Sequence, residues 1–309
     1  MNSKLVYIVL VNWNKTYLTI DCIKSINKSD YNNFKIVVVD NDTSDGSLGL
    51  LKDSNLNFDL ICLNSNTGYT GGNNEGIKFA LSKKCDYVFL LNNDTFINSD
   101  TISILISKLS STNDIAIAQP KILAYPDKSM IWCGPTSINK LLMKPKLVGF
   151  GEKNIKGYLD EETFIDYAVG CAAMIKTSLI NEIGMLDDDY FAGCEDVDYG
   201  FRTKLVNQKI IYIPSSIVYH LESVSAGGSD NPKYIYILVK AFLLLFSKWN
   251  KNIFHFTLIN LYFLLYNFKR SFIHLLKGNY KVPLAILIGY IDFVFKKYGN
   301  RDYDYLNKK

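Results

Sequence analysis

Over the first 120 residues, short apolar runs alternate with stretches of helical periodicity, and this alternation restricts the chain to few folds. Residues 5–11, 35–39, 58–63, 87–91 and 115–118 are near-continuous apolar runs of strand length. Between them, residues 16–26, 47–51, 72–81 and 99–109 repeat their apolar positions at helical spacing, as Leu18, Cys22, Ile23 and Ile26 do. Strands without in-out alternation are buried on both faces, so the pattern predicts an α/β fold with a mostly parallel central sheet covered by helices.

In such sheets, ligands bind beyond the carboxyl ends of the strands. Polar clusters stand at those ends: Asn12-Trp13-Asn14, Asp40-Asn41-Asp42, Asn64-Ser65-Asn66 and Asn92-Asn93-Asp94. Asn and Asp form turns after any strand, so a single cluster carries no message. Four on one predicted edge favour a site for a polar ligand.

Further on, residues 164–175 read as a strand interrupted at Gly170, 195–205 as a helix and 210–213 as a short strand, while 125–157 has no clear period. The opening residues lack the length and cleavage site of a signal peptide and read as the first strand. Six cysteines without CxxC or zinc spacing read as reduced, mostly buried thiols of a cytosolic protein.

The end of the chain differs in kind. From Lys233 to Lys309 there are 13 basic and 3 acidic residues, a net of +10, which leaves the first 232 residues at −6. Segments 237–246, 253–268 and 282–295 are apolar and aromatic, interrupted by Lys240, His255, Asn260 and Asp292, with lysines and an arginine between them. Each is shorter than the ~20 apolar residues of a spanning helix. Interfacial helices on an anionic membrane are favoured over a helical pack on the first domain or on another subunit. Long aliphatic runs argue against nucleic-acid binding. The expected division is 1–228, with halves of about 1–120 and 121–228, followed by a helical tail at 229–309.

Three further groups bear on chemistry. Asp94, directly after a buried strand, stands where a carboxylate can hold a divalent cation that bridges a diphosphate, although Asn-Asp after a strand is more often a turn or a helix cap. Glu195, Asp196 and Asp198 put three carboxylates into four residues at a helix start; capping accounts for one of them, and a base for an acceptor hydroxyl needs only one. His220 follows an apolar stretch and precedes Glu222, Ser223, Ser225 and Gly227-Gly228. In addition, residues 66–76 form a Gly-rich stretch leading into a helix, which offers free N–H groups but matches neither a P-loop nor a dinucleotide fingerprint.

In order and spacing, these segments resemble the inverting family-two glycosyltransferases of the GT-A fold, in particular their rhamnosyltransferase-like branch. The resemblance runs over roughly residues 5–225. It is carried by Ile8 to Asn14, Val37 to Ser47, Asn66 to Gly76, Leu90 to Asp94, Gly170 to Ile175, Ile183 to Asp187 through Phe191, Glu195 to Arg202, and Tyr219-His220. Pro232 to Tyr236 is similar to the aromatic segment that follows the histidine in this family.

The resemblance implies a role for each residue. Asp40 reads the donor base, with Val11, Asn12 and Asn14 in the same pocket. Gly68, Gly72 and Asn73 wall the ribose and sugar. Asn92, Asn93 and Asp94 replace the family's DxD motif, the first Asp being Asn92 here. Asp94 and His220 ligate Mn2+ or Mg2+, Asp196 is the base and Glu195 assists it. Asp187 and Trp132 are candidate acceptor contacts. The expected reaction is single-displacement transfer of a sugar from a nucleotide-sugar donor to a saccharide acceptor on a lipid, in surface polysaccharide assembly (O-antigen or capsule-like) at the cytoplasmic face of the plasma membrane. Rhamnose from dTDP-rhamnose is favoured, with a UDP-hexose donor as the alternative. A non-catalytic sugar-nucleotide-binding protein is the rival class, and the presence of both the acidic cluster and His220 counts against it.

Overall fold

A computed structural model describes residues 3–221, 230–250 and 252–298. The elements run β1 (Val6–Asn12), α1 (Thr16–Ile26), β2 (Phe34–Asp40), α2 (Leu48–Lys52), β3 (Asp59–Cys62), α3 (Gly68–Ser82), β4 (Tyr87–Leu91), β5 (Thr95–Ile97), α4 (Thr101–Ser111) and β6 (Ile115–Tyr125). They continue with β7 (Ile131–Cys133), β8 (Thr136–Asn139), β9 (Lys144–Leu147), β10 (Thr163–Phe164), β11 (Ala172–Lys176), α5 (Thr177–Ile183), α6 (Glu195–Leu205) and β12 (Lys209–Leu221). Three helices close the chain: α7 (Pro232–Trp249), α8 (Ile253–Leu276) and α9 (Lys281–Val294).

Backbone contacts divide the chain into two compact units. The first holds the described residues of Met1–Ser137, Pro145–Leu186 and Asp196–Glu222; the second holds those of Ile138–Lys144, Asp187–Glu195 and Ser223–Lys309. The tail helices thus share their unit with two short segments from the first 228 residues, one of which contains Asp187.

The first unit is built on a sheet in the order β10-β12-β6-β11-β4-β1-β2-β3, with β5 added to β12 and β7 to β6. The strands β3, β2, β1 and β4 are parallel, β11 is antiparallel between β4 and β6, and β6 and β12 are again parallel. The sheet is therefore mixed, with most strands pointing one way, and their carboxyl ends share an edge. One core face gathers Ile8, Leu10, Ile23, Val38, Phe89 and Leu105. The other gathers Val9, Val37, Ile77, Val88, Leu90 and Ile180. Alternate residues of each strand serve opposite faces, which is why the strands read as unbroken apolar runs.

Four expectations need correcting. The strand predicted to end at 118 continues through Pro120 to Tyr125. Pairing with β11 ends at Ala118 and pairing with β7 begins at Ile122, so Pro120 stands where no N–H is required on that side. Likewise 210–213 and 217–219 are one strand, β12, with a register shift between Ile213 and Ile217. The interrupted strand 164–175 resolves into two, β10 and β11. Helix α3 starts at Gly68 rather than 72, so the glycines lie inside the helix.

That placement follows from packing. A Cβ on Gly76 would lie 2.3 Å from Cγ1 of Val9, and one on Gly72 would lie 2.8 Å from Cγ1 of Val11. Helix α3 sits against β1 too closely for a side chain at either position. Gly76→Ala is expected to destabilise the protein by about 1–3 kcal/mol through overpacking, despite the better helix propensity of alanine. Thermal unfolding checks this; an unchanged or higher Tm would contradict it.

Candidate active site

The carboxyl edge of the sheet is tied together by polar side chains. Asn12 is fully buried; its Nδ2 donates to Asp40 Oδ1 (2.8 Å) and Thr43 Oγ1 (2.9 Å), and its Oδ1 accepts from Thr19 Oγ1 (2.6 Å). Asn93 Nδ2 donates to the same threonine hydroxyl (2.9 Å). One chain of hydrogen bonds therefore joins the ends of β1, β2 and β4. Asp40 is 2% exposed and also accepts from Thr43, from Oγ1 at 2.5 Å and from the amide at 3.2 Å. Its carboxylate shapes the loop after β2 as well as standing in the candidate donor pocket.

The two loops at this edge are held in unusual conformations. Asn14, Lys15 and Asp42 all have positive φ. Asn14 donates its amide to Thr43 Oγ1 (3.1 Å), and its side-chain oxygen accepts from the amide of Ser44 (2.9 Å). Left-handed backbone at non-glycine residues persists only where neighbours hold it, as these bonds do. Asn41 does the same for the start of α3: it donates to the Gly68 carbonyl (2.8 Å) and accepts from the Thr67 amide (2.8 Å). Gly68 itself has φ +78°. Asn73 is buried and turned to the Tyr69 carbonyl (2.8 Å), whereas Val11, Asn14, Asn92 and Asn93 remain half-exposed.

Asp94 and His220 are 126 residues apart in sequence and adjacent in space. Strand β5, directly after Asp94, pairs antiparallel with the end of β12 and sets His220 opposite Thr95; the Leu221 amide donates to the Asp94 carbonyl (2.9 Å). His220 Nε2 lies 3.2 Å from Asp94 Oδ1, yet that oxygen has no hydrogen bond, and neither has His220 Nδ1. Both side chains are buried, at 5% and 6% exposure. A buried carboxylate oxygen and imidazole facing each other without a hydrogen bond fit a shared divalent cation, and this pair of donors suits Mn2+. Asn92 Nδ2 comes to 3.4 Å from the same imidazole nitrogen. Among the described residues no group of three His, Cys, Asp or Glu side chains is placed to hold a metal. Trp132 packs edge-on against the His220 ring, with centroids 4.4 Å apart.

The acidic cluster divides by role. Asp198 is 2% exposed and ion-paired with Arg202 (2.9 Å), whose guanidinium also donates to the Ile183 carbonyl, a structural arrangement. Asp196 instead accepts from the amides of Gly170 (3.2 Å) and Val197 (2.8 Å). Burial pushes its carboxyl up to about 6, against the pull of these amides. Gly170-Cys171 is the hub of the site. The Cys171 carbonyl accepts from the Asn92 amide (2.9 Å), the Gly170 amide holds Asp196, and the Gly170 carbonyl accepts from the Tyr69 hydroxyl. A Cβ on Gly170 would lie 2.8 Å from that hydroxyl. The Cys171 thiol is raised well above its ordinary value by burial and by Cys133, Asp94 and Asp196 around it, so it stays protonated.

In the first unit the structure thus brings Asp94, His220, Trp132 and Asn92 together and ties Asp196 to the same short segment. Glu195 is buried, at 5% exposure, and belongs to the second unit, as does Asp187. Asp187 is ion-paired with Lys248, which also lies 5.1 Å from the centre of the Tyr190 ring. Glu222, Ser223, Ser225 and Gly227-Gly228 lie outside the described residues. Asn41, Thr43 and Tyr69 lie in segments that the sequence singles out, but their contacts and that of Thr19 escape sequence reading, since Tyr69, for one, meets Gly170 across 101 residues and no local pattern marks the pair.

The model of the family "Glycosyl transferase family 2" matches residues 7–184. The chain therefore belongs to glycosyl transferase family 2. It is similar to the low-salt glycan biosynthesis hexosyltransferase Agl10 of Haloferax volcanii, 30% identical over 180 residues, covering 57% of this chain and 55% of that protein. It is also similar to the dTDP-rhamnosyl transferase RfbF of Shigella flexneri, 26% identical over 259 residues, covering 79% of this chain and 81% of that one. Among solved structures it resembles GalNAc-T7 with UDP, GalNAc and Mn2+, at a TM-score of 0.65 and 16% identity over 81% of this chain and 49% of that chain. This likeness and the sheet order show the GT-A fold. The chain spans 55% of the length of the Haloferax relative, about half.

Proposed function

We propose that the chain transfers a hexose from a nucleoside-diphosphate sugar to a saccharide acceptor carried on a lipid, with inversion at the anomeric carbon, in surface polysaccharide assembly at the cytoplasmic face of the plasma membrane. The reading is carried by the joint anchoring of the Asp94–His220 pair and Asp196 about Gly170-Cys171. Asp196 accepts the proton of the acceptor hydroxyl as that oxygen bonds to the anomeric carbon, and the bond from that carbon to the diphosphate breaks on the opposite face. Asp94 and His220 would hold Mn2+ or Mg2+, which when bound neutralises charge on the departing diphosphate. Asn14, Asp40 and Asn93 orient the nucleoside, Asn12 positions Asp40 from below through its hydrogen bond, and Val11, Gly68, Gly72 and Asn73 form the wall behind it. Similarity to the Shigella dTDP-rhamnosyl transferase over four-fifths of both chains favours dTDP-rhamnose.

Donor hydrolysis across dTDP-rhamnose, UDP-glucose, UDP-galactose and UDP-N-acetylglucosamine, with and without Mn2+, tests this. Turnover restricted to one donor and lost with chelator is expected. Tight binding of a donor without turnover in the presence of an acceptor extract would overturn the enzymatic reading.

Tyr69→Phe removes the hydroxyl that donates to the Gly170 carbonyl and loosens the peptide that holds Asp196. Loss of one such bond is worth about 0.5–1.5 kcal/mol, so kcat should fall by up to about tenfold. The acid limb of its pH profile should move up, because a weaker Gly170 amide contact stabilises the Asp196 carboxylate less. A parallel drop at all pH values would leave Tyr69 a purely structural role.

A further inference from the structure

The second unit carries an apolar surface that nothing among the described residues covers. Helix α8 packs through one narrow side, with Ile259, Phe263, Asn267 and His274 toward α7 and α9. Its other side is apolar: Phe254, Leu258, Leu261, Leu265, Phe268 and Leu276 are 46–74% exposed. Helix α9 extends this surface with Leu284, Leu287, Ile291 and Val294, 40–71% exposed. A water-facing helix has a polar outer face; here the outer face is the apolar one.

The inner faces are fastened by polar bonds. The Tyr236 hydroxyl donates to Asp292 (2.6 Å), Lys240 Nζ donates to that hydroxyl (3.2 Å), and Asn267 reaches the Tyr290 hydroxyl (3.4 Å). These three bonds engage five polar side chains of the helices inside the unit, which leaves the apolar sides outward. The exposed charges on helices α8 and α9 themselves are basic. Lys269, Lys277, Lys296 and Lys297 are exposed, and the only acid on the described parts of α7–α9 is Asp292, at 1% exposure. Asp230 is paired with Arg270 and His274, away from the apolar side.

We infer that the outer faces of α8 and α9 insert into the interfacial layer of an anionic lipid bilayer, with the lysines on the headgroups. This names the surface for the membrane placement proposed above, on which it rests, and is independent of the reaction chemistry. No described helix is long and apolar enough to cross, which fits helices lying in the interface. A second copy of the chain is the poorer occupant, because face-to-face pairing would oppose the exposed lysines of α8 and α9 in both copies, and these helices carry no exposed acid among their described residues.

The test is flotation of the full chain with phosphatidylcholine vesicles, with and without phosphatidylglycerol, alongside donor hydrolysis. Binding should require phosphatidylglycerol and weaken with salt. Leu265→Glu with Phe268→Glu, both already exposed, should lower partitioning about tenfold or more per side chain while hydrolysis stays unchanged. Lys269→Glu with Lys277→Glu should lower it about tenfold or more. Equal binding by the Leu265/Phe268 variant, or equal binding to pure phosphatidylcholine, would overturn the inference. So would a dimer in light scattering that this variant splits. Vesicle binding without any donor turnover would remove the transferase reading and leave this one standing.

Discussion

Asp196→Asn is expected to lower kcat about 10²–10⁴-fold, the usual worth of a general base, while donor affinity is unchanged. The amide keeps the shape of the side chain and can still accept from the Gly170 or Val197 amide, so the hub stays assembled. What it cannot do is take a proton. In the wild type, burial pushes the Asp196 carboxyl up to about 6. Activity should therefore rise about tenfold per pH unit below 6 and level off above it, and the variant should lose that limb.

Stability should move the other way. The folded state keeps the Asp196 proton between the ordinary value of 3.8 and about 6, where the unfolded chain has released it. The contribution of this group is complete below 3.8 and is lost as pH rises through 6. At neutral pH the wild type holds an ionised carboxylate in a buried place, and the neutral amide of the variant removes that cost. A variant inactive yet higher in Tm by about 2–4 °C or more is the expected signature of a residue kept for chemistry. A lower Tm with retained activity would assign Asp196 to the fold instead.

How much of this was legible in the sequence depends on the range of the interaction. The buried strands β1, β2 and β4 and the helices α1 and α6 show in local periodicity, because their burial is decided by neighbours three or four residues away or by the sheet's two covered faces. The second half of the sheet is less legible. Pro120 normally stops a strand, and only the gap between the partners β11 and β7 lets it continue. The polar ends of the strands mark a site, and Asp94 and His220 each stand out by type and place. That they face one another is decided by β5 folding back onto β12, a pairing across more than a hundred residues. In the tail, composition shows apolar segments with polar breaks. Only the structure shows that Lys240 and Asp292 meet Tyr236 inside, so these breaks are part of a core rather than of a wet face.

Asp94→Asn is expected to lower kcat/KM about 10³-fold with Mn2+ present, and His220→Ala by a smaller factor, since an anionic ligand contributes more to a cation than a neutral imidazole. The informative measurement is the double variant. If both side chains hold one cation, losing either already removes most of its effect, so the double variant should be little worse than Asp94→Asn alone. Independent roles would instead multiply the two losses. A readout without catalysis is available in Trp132, whose ring centre is 4.4 Å from that of His220. Mn2+ should quench its emission in the wild type, with the quenching lost in Trp132→Phe and requiring far more metal in Asp94→Asn. Unquenched tryptophan emission with full Mn2+-dependent turnover would place the cation elsewhere. It would leave the buried, unbonded Asp94 Oδ1, which faces His220 Nε2 at 3.2 Å, as a cost without a function, which is a poor account of a carboxylate oxygen in a core.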